Sequence, residues 1–184
     1  MIETSSASSS GVVSGSAPLA GSGSAPLATP AGSGPATWSM GALFERLAGA
    51  SDTAGELAVS VVTQPPGAAS PLHVHTREAE AWYLLGGAMT YLAGDKLFHL
   101  AEGDFIYLPR DVPHAFRANG PSPVRFLAIT LPGALMDLYD ELGVPTGERR
   151  LPDGGVSGED VARWNELGAR YGLRIVGPPI PPAP

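Results

Sequence analysis

Between residues 57 and 131 the chain repeats one pattern eight times: a short run of β-type residues, then a turn. The runs fall at 57–63, 72–75, 81–85, 89–92, 96–100, 104–108, 114–117 and 124–131. Gln64-Pro65-Pro66-Gly67, Gly86-Gly87, Gly94-Asp95, Glu102-Gly103 and Asn119-Gly120-Pro121 separate them. Such residues either preset φ or tolerate a positive one, so each break is a turn with a mechanism. No run is long enough for a stable helix, and many short strands at this spacing predict an antiparallel barrel or sandwich. The 24 Gly and 19 Pro in 184 residues argue the same way, since a helical bundle would not be interrupted so often.

The flanks differ in kind. Of the first 37 residues, 27 are Ser, Ala, Gly or Pro, and Glu3 is the only charge among them. Gly15-Ser16-Ala17-Pro18-Leu19-Ala20 recurs as Gly23-Ser24-Ala25-Pro26-Leu27-Ala28. Little can be buried there to offset ordering entropy, so 1–37 is expected to be a disordered arm. A folded unit is expected over 38–133, opening with a short helix at 40–47, where Met40, Leu43, Phe44 and Leu47 have helical spacing. The segment 134–184 is expected to be a helical and Pro-rich tail packed on the outside. Leu135, Leu138, Tyr139 and Leu142 repeat at i, i+3, i+4, i+7 before Gly143. A second helix is expected over 157–171, capped by Ser157 and Asp160, with Val161, Trp164, Leu167 and Tyr171 on its apolar face. The closing Gly177-Pro178-Pro179-Ile180-Pro181-Pro182 is expected to lie extended.

Several functions are excluded or disfavoured. With no cysteine there are no disulfides, thiolate zinc sites, iron–sulfur clusters or Cys nucleophile. A formal charge of −7 repels phosphate backbones, so nucleic acid is not an expected partner. No apolar run approaches the roughly 20 residues of a membrane span. Met1-Ile2-Glu3-Thr4 has an acid where a secretory signal carries Lys or Arg, and a cytoplasmic location is the expectation.

The chemistry sits in two places. On a strand, residues i and i+2 share a face, so His73 and His75 aim into one space. Two adjacent imidazoles are poor core filler, because each ring nitrogen needs a partner, and a metal supplies one. Glu80 follows across a turn over residues 76–79, and Glu78, of the same parity, is the rival carboxylate. His114 opens a strand after a Pro-set turn. Three His and one carboxylate suit iron, manganese, nickel, cobalt, copper or zinc. His99 has no such frame and reads as a structural or solvent-facing residue, and Arg77 and Glu78 as a solvated turn.

These residues resemble the cupin superfamily. Gly67-(5)-His73-x-His75-(4)-Glu80-(6)-Gly87 matches its first motif at every spacing. Gly103-(5)-Pro109-x-Asp111-(2)-His114 matches the second, with Asp111 where the family usually has Gly, and Asn119 one residue late. The resemblance covers about 57–130. It implies an all-β double-stranded β-helix (jelly-roll) barrel, with a few C-terminal helices at its periphery, and a homodimer. It also implies His73, His75, Glu80 and His114 as ligands of one divalent transition metal. The tail, with Pro132-Gly133 and Ala169-Arg170-Tyr171-Gly172, is similar to small bacterial quercetin-dioxygenase-like cupins.

Trp82 and Leu84 share the parity of Glu80, and Phe116 that of His114. They are expected to form an apolar substrate-binding wall around the metal. Trp38, Phe44 and the 135–142 helix are candidates to close its mouth. Arg125 is the basic strand residue that is a candidate to meet an anionic substrate group, with an exterior position as its alternative. The expected function is a metal-dependent dioxygenase using O2 on an aromatic or enol-type small molecule, with Glu80 also as general base. The alternatives are a non-redox isomerase or cyclase in secondary metabolism, and a non-catalytic metal- or small-molecule-binding protein.

Overall fold

In the computed structural model, residues 25–182 are described. The elements are β1 (Ala36–Ser39), β2 (Ala42–Ala48), a 3-10 turn at Ala50–Thr53, β3 (Ala58–Gln64), β4 (Leu72–His75), β5 (Ala79–Gly86), β6 (Ala88–Ala93), β7 (Lys96–Ala101), β8 (Phe105–Leu108), β9 (His114–Asn119), β10 (Val124–Leu131), α1 (Leu135–Leu142), β11 (Val144–Thr146), α2 (Gly158–Arg170) and β12 (Leu173–Gly177). All eight expected strands form, with ends that differ from expectation by two residues at most.

The strands make two antiparallel sheets. One has the order β11-β1-β2-β3-β10-β5-β8, the other β12-β4-β9-β6-β7. Non-sequential neighbours in both sheets give the expected jelly-roll topology of a double-stranded β-helix. Alternation explains what is buried: along β5, Trp82 and Leu84 point inward while Tyr83 and Leu85 are exposed. Trp82, Leu84 and Phe126 from one sheet meet Met89, Tyr91 and Phe116 from the other in one cluster. Each such side chain, fully buried, contributes about 1.5–3 kcal/mol.

Turn chemistry follows the sequence closely. Gly67, Gly87 and Gly103 all have positive φ, at 75°, 82° and 89°. Asp111, where the motif usually has Gly, has φ 65°, and Asp is one of the few residues that tolerate that region. The backbone N–H of Asp111 donates to the carbonyl of His75 at 2.8 Å, tying this turn to β4.

Three expectations are corrected. Residues 40–47 form no helix. Met40 and Gly41, with φ 49° and 70°, make a two-residue hairpin that pairs β1 with β2, Ser39 opposite Ala42. Pairing with β1 and β3 on both sides overrides the short helical spacing. The disorder expected through residue 37 does not extend over residues 29–37. Thr29 Oγ1 donates to the Leu47 carbonyl at 2.6 Å, Arg149 donates to the carbonyls of Gly32 and Gly34, and β1 starts at Ala36. Residues 1–24 of that arm, with the first copy of the repeat, lie outside the described residues. Finally, the tail is not only helical: β11 pairs with β1, and β12 pairs with β4.

The helices of the tail form as expected. Ser157 and Asp160 cap α2 reciprocally, Asp160 N–H to Ser157 Oγ at 3.1 Å and Ser157 N–H to Asp160 Oδ2 at 2.8 Å. Trp164 packs with Leu135, Leu138 and Leu173 in a second buried cluster, which locks α1, α2 and β12 together. No described helix is long and apolar enough to cross a membrane.

Candidate metal centre

β4 carries His73 and His75 two residues apart, so both project from one face of the five-stranded sheet. His114 is the first residue of β9 and lies directly opposite His73 in the β4–β9 register. Glu80 comes from β5 in the facing sheet. The two sheets therefore bring three imidazoles and a carboxylate to one point. One ligating atom from each His lies within 4.8 Å of the other two. Glu80 Oε2 lies 3.5 Å from His75 Nε2 and 3.4 Å from His114 Nε2. All four residues are buried.

Hydrogen bonding orients two of the rings. His73 Nδ1 donates to the Pro71 carbonyl, and His114 Nδ1 to the Val112 carbonyl, each at 2.8 Å. A carbonyl only accepts, so Nδ1 carries the proton on both rings and Nε2 is left as a donor to an ion. His75 Nε2 and His114 Nε2 are buried without a hydrogen-bond partner. Burial of unpaired polar atoms is costly, and an ion among them removes that cost. Metal–nitrogen bonds of about 2.0–2.2 Å would draw the four side chains slightly inward.

Electrostatics keep His73 and Glu80 in ligating form. Burial, followed by the neighbouring His114 and His75, pushes the His73 imidazole down to about 3. Burial alone would raise the Glu80 carboxyl, but His75 and His114 outweigh it and hold the group well below the ordinary carboxylate range. A neutral imidazole and an ionised carboxylate are the forms that bind metal.

Beside these donors is a cavity of about 620 Å³ with Glu80 in its wall. Trp82 and Phe116 line it, as parity predicts. Leu84 does not: it is fully buried in the core cluster and forms no part of the wall. Much of the remaining wall comes from outside the 57–130 stretch. Phe44 on β2, Met136 and Tyr139 on α1, and Trp164 on α2 all face the cavity. Phe44 stacks on Tyr139 at 4.6 Å, and Trp164 meets His73 edge-on at 5.5 Å. Phe44 and the 135–142 helix are among the candidates named from sequence to close the mouth, whereas for Trp164 the apolar periodicity of the tail does not say what its face covers. Trp38 is not in the wall; its Nε1 donates to the Arg150 carbonyl.

The other candidates fall as follows. His99 is exposed, with Nδ1 3.3 Å from Thr90 Oγ1. Arg125 is exposed and pairs with Glu45 at 3.7 Å, on the exterior. Glu78 is not solvated. It is 2% exposed, and the preceding residues Thr76 and Arg77 are tied to the tail by bonds to the carbonyls of Gly172 and Arg170.

The family model described as a cupin domain matches residues 60–130. Among curated proteins, an uncharacterised protein of Methanocaldococcus jannaschii is 32% identical over 68 residues, 37% of this chain and 54% of that protein. Quercetin 2,3-dioxygenase of Bacillus subtilis is 29% identical over 86 residues, 47% of this chain and 25% of that protein. The chain thus spans about half or less of the length of these relatives. Among solved structures, an RmlC-like cupin from Shewanella frigidimarina superposes with a TM-score of 0.51 at 17% identity, covering 59% of this chain and 92% of that one.

Proposed function

We propose, from the premise that this chain carries a cupin domain, that it is a metal-dependent dioxygenase acting on an aromatic or enol-type small molecule. One observation carries the reading: three buried imidazoles and a carboxylate converge beside a largely apolar cavity whose wall includes Phe44, Trp82, Phe116, Phe126, Tyr139 and Trp164. His73, His75 and His114 would hold a divalent transition metal, with Glu80 as fourth ligand. When bound, the ion supplies Lewis acidity that acidifies an enol or phenol, and a template on which that substrate meets O2.

The chain's own residues do the rest. Trp82 and Phe116 present ring faces and edges at 5.4 Å from one another, against which a planar substrate lies. Met136, Tyr139 and Trp164 cover the outer side and keep water from the donors. Among the described residues, Glu80 is the one acidic side chain in the wall. Held ionised by its neighbours, it is a proton acceptor for a substrate hydroxyl, though a weak one until that hydroxyl is acidified. The match to quercetin 2,3-dioxygenase over 86 residues supports this choice of chemistry. Oxygen uptake during turnover of a flavonol or related enol by the metal-loaded protein tests it. Turnover without oxygen consumption would leave a non-redox isomerase or cyclase, and tight binding without turnover a binding protein.

A further inference from the structure

The cavity beside the donors has a second polar end. Glu80 marks the first, paired with Thr130 near the close of β10. Gln64, the last residue of β3, marks the other, paired with Val124 at the start of β10. Thr130 and Val124 are six strand steps apart, roughly 20 Å of strand, and β3 and β5 flank β10 on opposite sides. The wall between the two ends follows this diagonal and is apolar: Trp82, then Ala128 and Phe126, then Val62. Alternation along β3 turns Val62 and Gln64 to the same inward face, and Gln64 is only 8% exposed. An amide buried in an apolar wall is costly unless something pairs with it. The neighbouring Ser70 Oγ accepts from the Phe116 backbone N–H at 3.1 Å, whereas among the described residues the Gln64 amide has no hydrogen-bond partner. The described wall holds no Lys, Arg or His, so no cation there balances a carboxylate or phosphate.

We propose that Gln64 is the specificity residue of this cavity, and that its substrate is an elongated molecule of at least two linked rings, uncharged at the Gln64 end and carrying a hydroxyl or carbonyl there. The proposal rests on reading this cavity as the substrate site. One end of the molecule meets Glu80, the body lies along Trp82, Phe126 and Val62, and the far end pairs with the amide. Both donor and acceptor, an amide suits either a hydroxyl or a carbonyl. A single ring is too short to touch both ends. The volume of about 620 Å³ falls within the range of small-molecule sites, about 300–1,000 Å³. Sugar phosphates and dicarboxylates fit poorly, because their second anionic group would be buried away from any cation.

The test uses the metal-free full chain and reads quenching of Trp82 and Trp164, which line the cavity. The probes are hydroquinone and three para-substituted biphenyls: a mono-ol, a diol with a hydroxyl at each end, and a hydroxy-carboxylate. The wild type should bind the diol more tightly than the mono-ol or hydroquinone, and the hydroxy-carboxylate most weakly of the biphenyls. In Gln64→Leu and Gln64→Met the preference for diol over mono-ol should fall about 2- to 12-fold, the worth of one uncharged hydrogen bond, while mono-ol affinity is kept. A merely structural role for Gln64 would weaken both biphenyls alike and leave their ratio unchanged. An unchanged ratio in either folded variant overturns the proposal. So does a wild type that binds the hydroxy-carboxylate as tightly as the diol, or that no probe quenches. Oxygen uptake by the metal-loaded protein is read separately. If the ratio depends on Gln64 but no oxygen is consumed, the dioxygenase reading fails and the role of Gln64 stands. Oxygen-dependent turnover with an unchanged ratio removes Gln64 alone.

Discussion

His73 and His75 were readable because strand parity is a local property: with alternation settled, residues 73 and 75 must share a face. Glu80 and His114 were readable only through motif spacing, since nothing local says that β5 and β9 meet β4. Glu78 is buried where a solvated turn is expected, for the complementary reason that burial depends on contacts beyond the local sequence. At this scale, His75→Ala or His114→Ala should lose most bound metal while the sheet signature in circular dichroism is kept. Elemental analysis showing full occupancy in both would remove them as ligands. Glu80→Gln should retain more metal than either His variant but lose turnover. The pH response follows from His73. Its imidazole is held at about 3 when folded against about 6.5 in an unfolded chain, so the unfolded state binds more protons between those values. The stability it contributes is complete above about 6.5 and is lost as pH falls towards 3, by at most about 1.4 kcal/mol per unit. The depressed Glu80 carboxyl adds a loss of the same sign below the ordinary carboxylate range. The urea midpoint of metal-free protein should therefore be lower at pH 5 than at pH 7, and His73→Gln should flatten the difference. Equal midpoints at the two pH values in the wild type would contradict this.

Elements showed where local signals succeed and where pairing overrules them. The motif glycines are turns with positive φ, but they are not equivalent. A Cβ on Gly87 would lie 2.8 Å from the Pro123 carbonyl oxygen and 3.0 Å from Val124 Cα, whereas at Gly103 it would meet nothing within 4 Å. Gly87→Ala should cost about 1–3 kcal/mol in backbone strain plus the collision, and Gly103→Ala clearly less. Equilibrium unfolding of the two variants decides it. The helix capping at Ser157 was visible from sequence because a capping box is written in adjacent residues. The β2 strand was not, because the hairpin signal was Met40-Gly41 rather than the common Asn-Gly, and short helical spacing masked it. Strand β12 was missed since Leu173–Gly177 earns its conformation from β4 beside it. Trp164 ties that strand to both helices, so Trp164→Ala should cost about 3–5 kcal/mol, the usual range for emptying a buried Trp site. The cavity wall beside His73 should loosen with it, read as a rise in the exchange rates of β12 amides.

As a whole molecule, the protein is a jelly-roll whose outer wall is built from its own flanks. Tyr83 and Leu85 on β5 and Phe105 and Tyr107 on the edge strand β8 are exposed on one face of the larger sheet. The homodimer expected from resemblance would cover a face of this kind. Sedimentation equilibrium should then give twice 18.8 kDa for the wild type and a shift toward 18.8 kDa for Tyr107→Lys. An 18.8 kDa wild-type species would remove the dimer. By itself the sequence determined the strand run, the turns between strands, the capped second helix and the donor types, because alternation, φ preference and capping act over a few residues. Only tertiary structure decided that Glu78 is buried, that Leu84 belongs to the core and that Trp164 of α2 joins the cavity wall. Those outcomes depend on contacts between segments a hundred residues apart, whose free energy no local pattern encodes.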